Sequence, residues 1–523
     1  MNRRSLLAIC IAASAAAQAP APQPRKPKLV VGIVIDQFRF DYFYRFREHY
    51  NGGLARLWQQ GAVFTNAFYE HAPTVTAIGH ATFLSGATPS ISGIIANEWH
   101  DRESHGDVTS VSDKKTTLLG GKGDGSSPRR LLVSTIGDEL KMAGRGKPKV
   151  VGISIKDRSA ILPAGHMADG AYWFDNTTGN MVSSSYYFDD LPAWVKDFNT
   201  ARSADKYMGA KWTPIDNPKA QPFETMVSEA SEKYWKNMQR TPYGNELLED
   251  FAEKAVVAQK LGQGAGPLPD VLALSFSSND YVGHDSGPDS AQVRDVALRV
   301  DRTIAKLFRF LDARVGMQNV LVVMSADHGV APVPEVNRDR KMPGGRADGA
   351  DMMKRLEAML DDRYGAGGWI PKGGELPQIF LNRELIANKR LNPATVRAQV
   401  ATWVRGQEQV QRVYTWDQLA AAGGGDMIDV RVRNGFHAQR GPDLVVIRSP
   451  YWLHTKGPGT GTTHNTPYSY DAHVPVIFMG PGVKPGLYHG RAMPNDIAPT
   501  LATMLEVETP SGSVGRVLAE MLR

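Results

Sequence analysis

Four runs of this chain are apolar almost without interruption, and each closes on residues that bind metal or phosphate. They are KLVVGIVID, ending at Asp36; KVVGISIKDR, at Lys156 and Arg158; VLALSFSSNDYVGH, at Asp280 and His284; and NVLVVMSADHG, at Asp327 and His328. A strand with one face in water alternates apolar and polar residues, whereas a parallel strand covered by helices on both faces does not. The pattern therefore predicts an α/β protein with a mostly parallel central sheet. Ligands of open α/β sheets gather just beyond the carboxyl ends of the strands. One strand-end aspartate alone reads as a helix cap or a turn residue. Four such ends, spread from residue 36 to residue 328, read as a single site.

A site assembled from so much of the chain implies one catalytic domain, residues 29–523, with inserted segments at about 165–265 and 335–460 that cap it. The formal charge of +6 is small for 523 residues, and no block of five like charges occurs. A nucleic-acid footprint is not indicated, so no nucleic-acid partner is expected. Residues 1–19 have a basic start, a short apolar stretch and a small-x-small end at Ala17-Gln18-Ala19, which reads as a secretory signal peptide. A Pro-rich linker follows at 20–28. The expected location is periplasmic or secreted, without stable membrane insertion, because no later run reaches a transmembrane length. The only cysteine, Cys10, lies within the signal. The mature chain then has no thiol chemistry, and any metal falls to His and carboxylate ligands. The sequence sets no oligomeric state.

Between the runs, apolar spacing predicts helices over 41–60, from Thr76 to Gly86, over 290–314 and over 349–362. Residues 102–128, rich in Gly, Ser, Asp and Lys, read as an exposed loop, and HVPVIFMGPGV as a further buried strand.

Asp280 and His284 are four apart and share one face of a helical turn. Asp327 and His328 are adjacent at a strand end, where a turn lets both enter one cleft. With Asp36 and another histidine they form two clusters of mixed oxygen and nitrogen donors, a set that suits Zn²⁺ and also admits Mn²⁺ or Fe²⁺. Two ions about 4 Å apart clamp the entering and leaving oxygens of an in-line displacement. Thr76, at a helix N-terminus, is a candidate nucleophile, since that end donates N–H groups and favours negative charge. Thr74 competes with it on this reasoning alone.

The motifs VIDQFRFDY, APTVTAIGHATFLSG, GIIANEW, SIKDRSAILPAGH, SNDYVGHDSGPDS, SADHG and GTTHNTPYSYDAHVP, spread over residues 35–475, resemble the alkaline phosphatase superfamily. The likeness is greatest to the secreted, phosphate-irrepressible bacterial alkaline phosphatases with a threonine nucleophile. The resemblance implies a three-layer α/β/α sandwich and two zinc ions. One ion would be held by Asp36, Thr76, Asp327 and His328, the other by Asp280, His284 and His464. It selects Thr76 over Thr74, and implies that Asn97, Lys156 and Arg158 bind the phosphate oxygens. The family pattern Thr-His-Gly favours His464 over its rival His473, although Asn465 stands where glycine is usual. His80 and His166 read as structural. Small phosphate monoesters are the expected substrates, because Lys-x-Arg suits a doubly charged phosphate. A phosphodiesterase or nucleotide pyrophosphatase of the same superfamily is the alternative. A sulfatase lacks its Cys/Ser-x-Pro-x-Arg motif here, and a binding protein without turnover fits poorly with a complete nucleophile and ligand set.

Overall fold

A computed structural model describes residues 26–371, 376–421, 423–454 and 461–523. The segment read as a signal peptide and most of the linker lie outside the described residues. The four apolar runs become strands Leu29–Ile35, Val150–Ser154, Asp270–Phe276 and Val320–Ser325, all fully buried. They are sheet neighbours. In order across an eleven-stranded sheet, Val320–Ser325 pairs with Leu29–Ile35, then Asp270–Phe276, then Val150–Ser154, every pairing parallel. Gly170–Phe174 continues the parallel set, and Val476–Met479 joins the other side antiparallel. The four chemically active strand ends thus stand side by side along one edge.

Two apolar layers cover the sheet, as continuous apolar strands require. One carries alternate residues such as Val31, Ile33 and Ile35 against the helices Ala291–Arg314 and Pro242–Gln259. The other carries Val30 and Val34 against Phe83, Leu84 and the helix Ile497–Leu505. The sandwich is α/β/α. Helix Ala291–Arg314 begins at Ser290, whose hydroxyl accepts from Val293 N, and presents Val293, Val296, Val300, Ile304, Leu307 and Leu311 to the core.

Three sequence readings change. The helix expected over 41–60 is broken into Tyr42–Arg45 and Gly53–Gln60. The second helix starts at the Gly52-Gly53 pair, which lies so close to Asp301 and Ile304 that no Cβ would fit. Residues 102–128 are not a loop. They hold strands Gly106–Thr109, Ser112–Leu119 and Asp124–Ser126, the last two at the sheet edge, where polar strands face water. Within 165–265, Gly170–Phe174 and Met181–Ser184 belong to the central sheet itself. The region from Gly349 to Arg448 has its own apolar cluster around a three-stranded sheet.

Candidate active site

The strand edge delivers its carboxylates into the interior. Asp36 and Asp327 are fully buried, and Asp280 is 4% exposed. Asp280 sits in the first turn of helix Ser278–Ser286, which places His284 Nε2 3.2 Å from its Oδ1. His464 Nε2 approaches the same oxygen at 3.9 Å. Asp280, His284 and His464 therefore form one donor cluster, with ligand atoms within 4.8 Å of one another. Each imidazole is oriented from behind: His284 Nδ1 donates to Thr462 O at 2.9 Å, and His464 Nδ1 to Thr74 O at 2.7 Å. Both bonds leave Nε2 facing the carboxylate.

His473 is elsewhere. Its ring is stacked between Phe40 and Phe68, and its Nε2 donates to Thr65 O at 3.0 Å. Thr74 also differs from its rival, since its hydroxyl donates to Thr466 O.

Asp36 and Asp327 make the second cluster, and two histidines compete for it. His80 lies near both carboxylates, at 3.4 and 3.6 Å. Its two nitrogens, however, engage Thr76 O at 2.9 Å and Ser275 Oγ at 2.8 Å. His328 Nε2 is 3.3 Å from Asp327 Oδ2, and neither atom has a hydrogen-bond partner among the described residues although both are buried. Buried polar atoms left unpaired are costly, and a shared cation would satisfy both. His80 completes a three-donor group with Asp36 and Asp327, but with its nitrogens engaged at the helix start His328 is the better candidate ligand.

Charge points the same way. Three buried carboxylates face one ammonium, Lys156 Nζ, which lies 3.0 Å from Asp36 Oδ2 and 2.6 Å from Asp280 Oδ2. Burial disfavours charge on these groups, yet the lysine and the histidines hold Asp280 well below the ordinary carboxylate range. Burial also opposes protonation of His328, but Asp327 overrides it and raises the imidazole to about 9. A cation bound here would displace that proton. The residues present fit two metal ions.

Thr76 opens helix Thr76–Ser85 and is 2% exposed. The first turn of that helix presses on Asp327, where a Cβ on Gly79 would come within 2.2 Å of the Asp327 carbonyl oxygen. Asn97 Oδ1 accepts from Ala77 N at 2.9 Å, which fixes its carboxamide beside Thr76. Arg158 Nε is buried without a partner among the described residues, and its guanidinium makes only a 3.8 Å contact to Asp157. His166 contacts Asp138 and Leu131 instead of the cluster.

Sequence reasoning passed over Gln37, which follows Asp36 directly. Its backbone N donates to Asp327 Oδ1 at 2.9 Å and its Nε2 to Asp280 Oδ1 at 2.7 Å, so it bridges the two clusters. Its φ of 59° is the cost of reaching both. Ser275 was passed over as well; its hydroxyl donates to Asp36 Oδ1 at 2.7 Å.

Comparison with known proteins gives this arrangement a family. The type I phosphodiesterase / nucleotide pyrophosphatase pattern matches residues 30–472. The chain belongs to that family. It is 37% identical to alkaline phosphatase PhoV of Synechococcus elongatus, covering 95% of this chain and 93% of that one. It is 36% identical to alkaline phosphatase PafA of Elizabethkingia meningoseptica, covering 99% of each. The crystal structure of wild-type PafA superposes with a TM-score of 0.88 at 36% identity, covering 95% of this chain and 99% of that chain. A variant crystal structure of PafA carries substitutions at a threonine, an asparagine, a lysine and an arginine. Their Thr-to-Asn and Lys-to-Arg spacings equal those of Thr76–Asn97 and Lys156–Arg158.

Proposed function

We propose that this family member is a secreted, zinc-dependent phosphomonoesterase of the alkaline phosphatase type that works through a phosphothreonine at Thr76. The observation that carries the reading is the pair of oxygen–nitrogen clusters, joined by Lys156 and Gln37, at the start of the Thr76 helix. Asp36, Thr76, Asp327 and His328 would hold one zinc ion, and Asp280, His284 and His464 the other. Ions bound there would supply Lewis-acid polarisation of the phosphoryl group and lower the pKa of bound oxygens.

The chain does the rest. Thr76 gives up its hydroxyl proton to solvent as Oγ attacks phosphorus in line, the bond to the ester oxygen breaks, and the departing alkoxide takes up a proton from solvent. Asn97 Nδ2, Lys156 and Arg158 donate to the non-bridging oxygens, where negative charge stays concentrated. Water then cleaves the phosphothreonine, releases inorganic phosphate and restores the hydroxyl. Two cationic donors leave little place for a second ester substituent, which favours small-molecule monoesters. Among the described residues no helix is long and apolar enough to cross a membrane. The segments at about 165–265 and 335–460 are proposed to shape the approach to the site.

Thr76→Ala tests the nucleophile. Turnover of a monoester should fall to background while metal content, read by elemental analysis, stays near that of the unmodified protein. Undiminished turnover would remove Thr76 from the mechanism.

A further inference from the structure

We infer that a cleft of about 150 Å³ beside Asn97 receives the alcohol half of the ester and is shaped for one uncharged aromatic ring. The inference rests on the phosphomonoesterase reading above and names the substrate class of that same site.

Its position follows from three of its lining residues. Val75 precedes the nucleophile, Asn97 binds the phosphoryl group, and Asn465 follows His464. With the phosphoryl group held at Asn97 and the leaving oxygen on the His464 side, a substituent passing Asn465 would enter the cleft. Its walls are mostly apolar, with Pro73, Ala96, Trp99 and Phe380 beside the polar Asn97, Glu98 and Gln378.

The walls are also fixed before any ligand arrives. Trp99 and Phe380 are each 2% exposed and pack in one apolar cluster with Ala77 and Ile78 of the Thr76 helix. Arg102 lies over the Phe380 ring at 5.1 Å and Arg130 over the Trp99 ring at 5.9 Å, so neither ring turns freely. Gln378 Nε2 donates to Ile95 O at 3.1 Å and ties the Phe380 segment to the Asn97 segment. A preformed apolar cleft binds without the cost of ordering its walls.

Size and charge define the ring. An apolar cavity of roughly 150 Å³ is known to take up a benzene in another protein. A nucleoside, with base and sugar, exceeds that volume. Glu98 lines the same cleft, is exposed, and carries negative charge towards any substituent entering there. Alcohols bearing a carboxylate or a second phosphate are therefore disfavoured.

The test uses the metal-loaded, full-length protein and three non-hydrolysable competitors: methylphosphonate, benzylphosphonate and 4-carboxybenzylphosphonate. Benzylphosphonate should inhibit monoester hydrolysis about tenfold more tightly than methylphosphonate, as burial of one ring implies. The carboxylated compound should lose several-fold of that gain, and Glu98→Gln should restore it. Ala96→Phe, which fills the cleft, should bring the benzyl-to-methyl ratio close to one. Equal inhibition by benzyl- and methylphosphonate in the unmodified protein would overturn the subsite, whatever the variants do. Absence of any monoester turnover would overturn the activity reading and the subsite with it.

Discussion

Lys156 donates to Asp280 Oδ2 at 2.6 Å across the join between two neighbouring parallel strands, and reaches Asp36 on the next strand. Its single positive charge balances part of both clusters. Replacing it by methionine, Lys156→Met, strands two buried carboxylates, a change that typically costs about 3–5 kcal/mol. Divalent metal should offset much of that loss. Thermal unfolding of the variant is expected to show a large deficit after chelation and a smaller one with zinc restored. Monoester kcat/KM should fall about 100-fold, as on removal of a preorganised donor, and diester hydrolysis should fall less. Equal deficits with and without metal would contradict the bridging role.

Asn465 holds φ at +98°, a region that side chains rarely adopt. The residue stands next to His464, so the loop accepts strain in order to present that histidine. Asn465→Gly should leave the fold intact and raise stability by up to about 1 kcal/mol, whereas Asn465→Ala should lower it by about 1 kcal/mol. Chemical denaturation of both variants measures the difference. An alanine variant as stable as the glycine variant would contradict the strain.

His166 faces an acceptor on each side, Asp138 Oδ2 at 3.3 Å and Leu131 O at 2.9 Å, so both ring nitrogens bond best when protonated. The hydrogen bond to Asp138 raises the imidazole above its ordinary range, against partial burial. A raised folded-state value means that the contribution is complete below about pH 6.5 and is lost as pH rises through the folded value. His166→Gln should therefore lower the melting temperature more at pH 5.5 than at pH 9. The side chain is a third exposed, so the effect should be modest. An equal loss at both pH values would mean that charge plays no part.

The central sheet and its active edge were readable because continuous Val, Ile and Leu runs have few alternatives to a parallel strand covered on both faces. The same logic fails at the sheet's far edge. Ser112–Leu119 reads SDKKTTLL, and its pairing is set by neighbouring backbone rather than by side-chain pattern. Asp280 with His284 could be paired from spacing alone, since both ride one helical turn. The Thr-His-Gly pattern favoured His464 over His473, and three dimensions add the reason: the ring of His473 is stacked between Phe40 and Phe68. Gln37 carried no signal beyond its place after Asp36, because an amide announces neither metal nor catalysis. The cleft beside Asn97 draws on residues 73 to 465, and no local pattern marks it.

The most direct test of the central claim is a paired assay of one aryl phosphate monoester and its methyl diester, before chelation, after chelation and after return of zinc. The account expects the monoester to be favoured about 100-fold or more in kcat/KM, with activity lost on chelation and recovered with zinc. Faster hydrolysis of the diester, or monoester turnover indifferent to chelation, would contradict it.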